Sequence, residues 1–273
     1  MALGVRAAGS WQDLDVTDTT MWNAPPLWRG LLLAARGVIG VTARLRVVGG
    51  VPEEMRRGPL ILAANHISPV DPAVMMAACH TAGIAPRIMA TGGVFRTPVL
   101  GSLMRASGQI RVDRRTATVA RALDDAAQAL RENSVILIYP EGRIGLDPGM
   151  WPERGKTGAA RLALATGAPV VPVAQWGGHE LIPYETADLG ANARALLHDL
   201  RRRPVAKVAF GAPVDLGGLR ADTPGDAQRA TDRIVDAITA TLAPLRADEP
   251  DRPRHHDPTR PADASRSHRR GPG

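Results

Sequence analysis

The chain has 273 residues, 44% of them hydrophobic, enough to bury a sizeable core within one domain. Its formal net charge is +7, and apart from Lys156 and Lys207 all 34 basic residues are Arg, a bias ascribed to codon usage for most of them and to anionic contacts for a few. No zinc-ligand spacing, aromatic stacking platform or recognition helix accompanies the charge, so nucleic acid is not an expected partner, and the sole cysteine, Cys79, excludes an internal disulfide.

Residues 1–20 are polar and acidic; they read as a disordered N-terminus rather than a signal peptide, with Met21 as an alternative start. The folded domain is expected over 21–245. Its first element, a helix at about 25–43, is apolar but interrupted by Arg29 and Arg36, too short and too charged to span a bilayer. Periodicity leaves two readings open: a helix packed on the domain, or one lying in a membrane interface with Trp28 and its arginines at headgroup level.

From residue 44 onward strand and helix patterns alternate. Strands are expected at 44–48, 59–64, 86–90, 108–112, 134–139, 169–174 and 205–210. Helices are expected at 71–82, 97–106, 116–132, 156–167 and 224–243, with Pro72 and Pro98 in first turns and Gly83 and Gly167 as stops. Short β-branched runs between helices predict an α/β fold, a single domain whose largely parallel or mixed central sheet is flanked by helices. Cys79 falls in the apolar run 74–79 as a packed helical thiol. Residues 246–273 mix Arg, Asp, Pro and His with little to bury and read as a disordered tail.

Four segments carry candidate chemistry. In Asn65-His66-Ile67-Ser68-Pro69-Val70-Asp71 a buried strand delivers His66 to its end, five residues before a carboxylate. A base and a group that orients it can activate a hydroxyl at neutral pH, although the ordinary role for Asp71 beside Pro72 is a helix cap. In 108–115 a strand ends in Val112-Asp113-Arg114-Arg115, a fair phosphate site or a solvated basic turn. The strand 135–138 ends in Tyr139-Pro140-Glu141-Gly142-Arg143, with a carboxylate and flexible backbone at its tip. The fourth, 167–173, is a buried strand around Val171-Pro172.

Together, in this order and spacing, the four segments resemble the glycerolipid acyltransferase family, which includes the lysophosphatidic acid acyltransferases, over roughly residues 25–215. The family's Asn-His and following Asp correspond to Asn65, His66 and Asp71. Its Val-Asp-Arg falls at Val112, Asp113 and Arg114, its aromatic-Pro-Glu-Gly at Tyr139 to Gly142, and its Val-Pro strand at Val171 and Pro172. The resemblance implies that His66 is the general base and Asp71 its orienting partner, and that the acceptor hydroxyl attacks an acyl thioester directly. It implies no cofactor and no metal. Arg114, Glu141 and Gly142 are implied to position the acceptor's glycerol phosphate, with Arg143 and Lys156 as further candidates from charge and place.

The expected product is phosphatidic acid from lysophosphatidic acid. Acyl-CoA or acyl carrier protein is the expected donor, with Arg87, Arg96, Arg105 or Arg111 available to either. The expected site of action is the cytoplasmic face of the cell membrane, peripheral or monotopic, against an anionic membrane surface, so the resemblance favours the interfacial reading of the helix at about 25–43. Many relatives continue Pro-Glu-Gly with Thr-Arg-Ser, where this chain has Arg143-Ile144-Gly145. That departure leaves glycerol phosphate or another lysophospholipid as alternative acceptors. A non-catalytic peripheral membrane-binding protein is the more distant alternative.

Overall fold

Seven short runs become the strands of one sheet in the computed structural model, which describes residues 24–56, 58–113, 118–185, 200–261, 265–266 and 268. They are β1 (Arg44–Val48), β2 (Leu60–Ala64), β3 (Arg87–Thr91), β4 (Ile110–Val112), β5 (Val135–Ile138), β6 (Val170–Trp176) and β7 (Val205–Phe210). The order across the sheet is β1-β7-β6-β2-β5-β3-β4. Every neighbouring pair is parallel except β6 and β7. This is the mixed α/β sheet that the alternation predicts.

The helices are α1 (Pro26–Thr42), α2 (Glu53–Arg56), α3 (Asp71–Thr81), α4 (Gly92–Arg96), α5 (Pro98–Ala106), α6 (Thr118–Arg131), α7 (Gly158–Thr166) and α8 (Asp226–Leu242). The short α2 and α4 were not expected. One turn or so of helix carries too few positions for a 3.6-residue period to show. Gly83 and Gly167 take positive φ of 68° and 69° just past α3 and α7, as stops in a left-handed conformation that a Cβ would disfavour.

β2 and β6 are apolar throughout nearly their whole length because both faces of the sheet are covered. Alternate residues of β2 point to opposite sides. Leu60, Leu62 and Ala64 join Trp28, Leu32, Ile39, Val74 and Met75 in a core under α1 and α3. Ile61 and Ala63 join Leu130, Ile136, Ala160 and Ile234 under α6, α7 and α8. Truncating one of these fully buried side chains to Ala would cost about 2–5 kcal/mol. Cys79, on the buried side of α3, has its thiol pushed up to about 12 by burial, in keeping with a packing role.

α1 packs on α3 through Trp28, Leu32, Ile39 and Thr42, and the indole N–H of Trp28 donates to the Pro86 carbonyl at 3.0 Å. Trp28 therefore does not sit at headgroup level; it is a core anchor. The opposite side of the helix leaves Leu27, Leu33, Val38 and Val41 exposed. Among the described residues no helix is long and apolar enough to cross a membrane.

The expected tail is the main departure. Residues 246–261 are not free chain, because polar rather than apolar groups hold them. The Arg246 guanidinium lies 4.1 Å from the ring centre of Trp151 and 4.7 Å from that of Trp176 and donates to the Gly149 carbonyl. Asp257 accepts from the Tyr184 and Thr259 N–H groups. An appraisal by hydrophobic content misses a segment held this way. Residues 1–20 lie outside the described residues.

Candidate active site

In a parallel sheet the carboxyl ends of the strands share one edge, and a crevice there is where ligands collect. β2 lies between β5 and β6, so its end is flanked on both sides by the loops that follow those strands. Asn65 continues β2 past its last strand residue by pairing with Gln175 on β6. Its amide accepts from the Gln175 N–H at 2.8 Å and donates to the Gln175 carbonyl at 3.0 Å, and the Gln175 side chain donates to the Asn65 carbonyl at 2.6 Å. Both residues are buried. The chain leaves this lock in a fixed direction, and the next residue is His66.

His66 and Asp71 meet as expected: Nδ1 lies 2.8 Å from Asp71 Oδ2. The same oxygen accepts from the Ile67 N–H at 2.6 Å and the Ser68 N–H at 2.7 Å. Val70 is the N-cap of α3, and Asp71 makes no capping bond. The carboxylate is turned back onto the loop instead, which sets aside the ordinary capping role. A carboxylate only accepts, so the imidazole proton sits on Nδ1 and the lone pair is left on Nε2. Tyr139, at the end of β5, stacks on the imidazole with ring centres 4.4 Å apart and planes at 26°. Asp71 is fully buried, whereas the His66 side chain keeps 16% exposure and can be reached.

Glu141 also serves His66, from the other side. Its Oε1 accepts the His66 N–H at 2.9 Å and its Oε2 the Glu153 N–H at 3.0 Å. Burial pushes this carboxyl up to about 8, against the two N–H bonds that favour its charged form. Glu141 was expected to touch the acceptor; both oxygens instead bind the protein's own backbone. Gly142 has φ +67°, and the Lys156 stem crosses it so closely that a Cβ there would lie 3.1 Å from Lys156 Cδ. The Arg143 guanidinium holds the buried Glu153 carboxylate at 2.8 and 3.1 Å. Gly145 donates its N–H to the His66 carbonyl at 2.7 Å, and a Cβ at Gly145 would come within 2.5 Å of Glu141 Oε2.

The structure thus gathers His66, Asp71, Tyr139, Glu141, Gly142, Arg143 and Lys156 around the ends of β2 and β5. Arg114 lies outside the described residues. Its neighbour Asp113 pairs with Arg111 at 2.8 Å and packs against Gly92 at the start of α4. The residues that sequence reasoning missed are Glu153, Gln175, Gly178 and Arg260. Gln175 had a usable signal, a polar residue at the end of an apolar strand. Glu153 and Arg260 had none, because only folding brings them to the site.

The acyltransferase family model matches residues 46–176, the stretch that runs from β1 to the end of β6. The 1-acyl-sn-glycerol-3-phosphate acyltransferase BAT2, chloroplastic, of Brassica napus is 24% identical over 163 residues, 58% of this chain and 43% of that protein. The chain therefore spans less than half the length of this curated relative. Over residues 46–176, just under half of its length, the chain is similar to glycerolipid acyltransferases. The crystal structure of the 1-acyl-sn-glycerophosphate (LPA) acyltransferase PlsC from Thermotoga maritima shares the fold, with a TM-score of 0.56, 19% identity and coverage of 79% of this chain and 80% of that one. The segments that hold His66 and Asp71 and that run from Tyr139 to Gly142 both fall inside the matched region.

Proposed function

We propose that the protein transfers a fatty acyl group from a thioester to the free hydroxyl of lysophosphatidic acid, giving phosphatidic acid. The observation that carries this reading is the bond from His66 Nδ1 to a buried Asp71 that is itself fixed by two backbone N–H groups. It leaves Nε2 as a base on the more open side of the ring. The similarity to proteins named as acylglycerophosphate acyltransferases supports the choice of acceptor.

In the proposed reaction the acceptor hydroxyl gives its proton to His66 Nε2 while its oxygen attacks the thioester carbonyl carbon. The new C–O bond forms a tetrahedral intermediate; the C–S bond then breaks, and the leaving thiolate takes the proton back from Nε2. Asp71 stabilises the imidazolium between the two steps, as the carboxylate does in other base–carboxylate pairs. No acyl-enzyme and no cofactor enter this scheme. Glu141 acts through the His66 backbone. Gly142, Arg143, Lys156 and Arg114 are the proposed acceptor-phosphate contacts, with Arg143 held in direction by Glu153. The donor is acyl-CoA or acyl carrier protein; an acidic carrier predicts a steep loss of rate with salt, because steering is screened over about 8 Å at physiological ionic strength. The exposed Leu27, Leu33, Val38 and Val41 of α1, with Arg29 beside them, are the proposed contact with an anionic membrane surface at the cytoplasmic face.

The test is acyl transfer by purified protein on vesicles containing lysophosphatidic acid with oleoyl-CoA, with His66→Ala in parallel. Wild type is expected to make phosphatidic acid, and His66→Ala to turn over about 10²–10⁴-fold more slowly with little change in acceptor binding. A variant as fast as wild type removes His66 as base. Product from glycerol phosphate or another lysophospholipid, but not from lysophosphatidic acid, transfers the reading to that acceptor; Arg143-Ile144-Gly145 in place of Thr-Arg-Ser is the feature that favours such an outcome.

A further inference from the structure

The loop that carries His66 is braced at every peptide, and one brace comes from far away in the chain. The His66 N–H goes to Glu141 and its carbonyl accepts from Gly145. The Ile67 N–H goes to Asp71. Two carbonyls of this arrangement remain, those of Ile67 and Gly145, and both accept from Arg260. Nη1 donates to Ile67 at 2.7 Å, 193 residues away in sequence, and Nη2 donates to Gly145. The guanidinium fork therefore closes a ring that runs from His66 through Gly145 and Arg260 to Ile67, joining the loop after β2 to the loop after β5. Arg260 is a largely buried cation, and the acidic groups near it include Asp71 and Glu141, which flank His66.

The rest of the tail keeps Arg260 there. Asp257 and Thr259 bind the backbone of Tyr184 and Glu185 in the loop after β6. Further on, the Arg266 N–H donates to Glu153 Oε1 at 2.7 Å and its carbonyl accepts from Arg154 at 2.9 Å. Glu153 is the residue that holds Arg143 and donates to Glu141. His268 reaches α8 at Asp236, 3.0 Å away. The tail thus touches the loops after β2, β5 and β6 in turn, all at the edge of the sheet where His66 lies.

We infer that Arg260 is a positioning residue for His66, and that the C-terminal tail completes the active site by clamping the His66 and Glu141 loops together. The inference rests on the acyltransfer reading for its kinetic consequence, not for its geometry. Two parallel donors on a rigid plane are what the two carbonyls require; an ammonium at the end of a lysine stem serves one of them at a time. Loss of the fork lets the two loops part, and a base displaced by a fraction of an ångström loses rate without losing substrate.

The test compares full-length wild type, Arg260→Ala and Arg260→Lys. Turnover on lysophosphatidic acid vesicles with oleoyl-CoA is measured together with the downfield imidazole N–H proton resonance of His66, identified by its absence from His66→Ala. Arg260→Ala is expected to lower kcat about 10- to 100-fold with KM for both substrates nearly unchanged, and to shift or broaden the resonance. Arg260→Lys is expected to fall between, since it keeps the charge and loses the fork. A kcat near wild type with an unmoved resonance overturns the inference. So does full recovery by Arg260→Lys, which would reduce the effect to charge, and so does a rate loss that only follows the unfolded fraction while the folded fraction keeps its resonance. Should the alanine variant not fold, the lysine variant decides by the same two readouts. A wild type with no acyl transfer to any lysophospholipid defeats the acyltransfer reading alone, because the resonance still reports whether Arg260 sets the imidazole.

Discussion

Two buried carboxylates face the same histidine, and they do different things. Asp71 gathers three donors on one oxygen, the imidazole and two loop N–H groups, over a span of only five residues. Glu141 spreads its two oxygens over two N–H groups that belong to different loops, 75 residues and 12 residues away. Asp71 touches the ring, so its charge enters the proposed chemistry. Glu141 touches only backbone, so its geometry enters. Sequence motifs treat them alike, as an acid beside a proline; the acceptor each one faces separates an orienting group from a brace.

Replacing Asp71 tests the first half of this contrast and carries the largest expected effect. In Asp71→Asn the two N–H groups of Ile67 and Ser68 select the amide oxygen for the Oδ2 position and turn the amide nitrogen towards the place of Oδ1. The ring keeps an acceptor and loses the negative charge that stabilises its imidazolium. Turnover per folded molecule is expected to fall about 10²–10⁴-fold, with a separate stability cost of about 1–3 kcal/mol because the amide nitrogen enters a buried place that offers it no acceptor. A loss confined to KM would mean that Asp71 shapes the acceptor pocket rather than the base.

Replacing Glu141 tests the second half. An amide has one acceptor oxygen where two N–H groups need one each, so Glu141→Gln leaves one buried donor facing an NH2 group. The expected cost is about 1–3 kcal/mol of stability, with a smaller loss of rate than in Asp71→Asn. The pH dependence gives a second readout. Glu141 keeps its proton in the fold up to about pH 8 and releases it in the unfolded chain near its ordinary 4.5. Between those values the folded state binds the additional proton, so this group's contribution is fully present below the lower one and is lost as pH rises towards the upper. Denaturation midpoints at mildly acidic and mildly alkaline pH are expected to fall in wild type and to fall less in Glu141→Gln. Equal slopes in both would remove Glu141 as the source.

The same contrast explains what was legible in the sequence. β2, β5 and β6 could be read because strands covered on both faces must be continuously apolar, and their bounds came out within one or two residues of the expectation. His66, Asp71, Tyr139, Glu141 and Gly142 each stand near the end of such a strand or start the next helix, and the family resemblance of their segments is what placed them together. The direction in which each carboxylate faces could not be read. It depends on N–H groups left unpaired by the loop, and loops have no period. Arg260 was illegible for a further reason: it lies in a tail whose composition is that of free chain, and its partners are two carbonyls that carry no sequence mark. Trp28 was misplaced because an aromatic on an amphipathic helix suits a membrane interface and a core equally well until its N–H partner, Pro86, is known.

The smallest expected effect concerns the free side of Asp71. Its Oδ1 is buried and has no hydrogen-bond partner among the described residues, so on that side packing alone adds to the three bonds that hold Oδ2. Gly178, just beyond β6, supplies that packing by having no side chain: a Cβ there would stand 2.8 Å from Oδ1 and 3.5 Å from Val70 Cγ1. Gly178→Ala must therefore push the carboxylate about its own axis, which draws Oδ2 away from the imidazole while leaving every donor in place. The expected outcome is a cost of about 1–3 kcal/mol from overpacking, with a modest fall in kcat and an unchanged KM. Gly30→Ala is the matching control, since a Cβ at that helical position meets nothing within 4 Å and alanine there is expected to stabilise α1 by roughly 0.5–1 kcal/mol. If Gly178→Ala loses stability but keeps its full rate, the carboxylate has yielded along a direction that leaves the Oδ2–Nδ1 bond intact, and the loop N–H groups alone suffice to aim it.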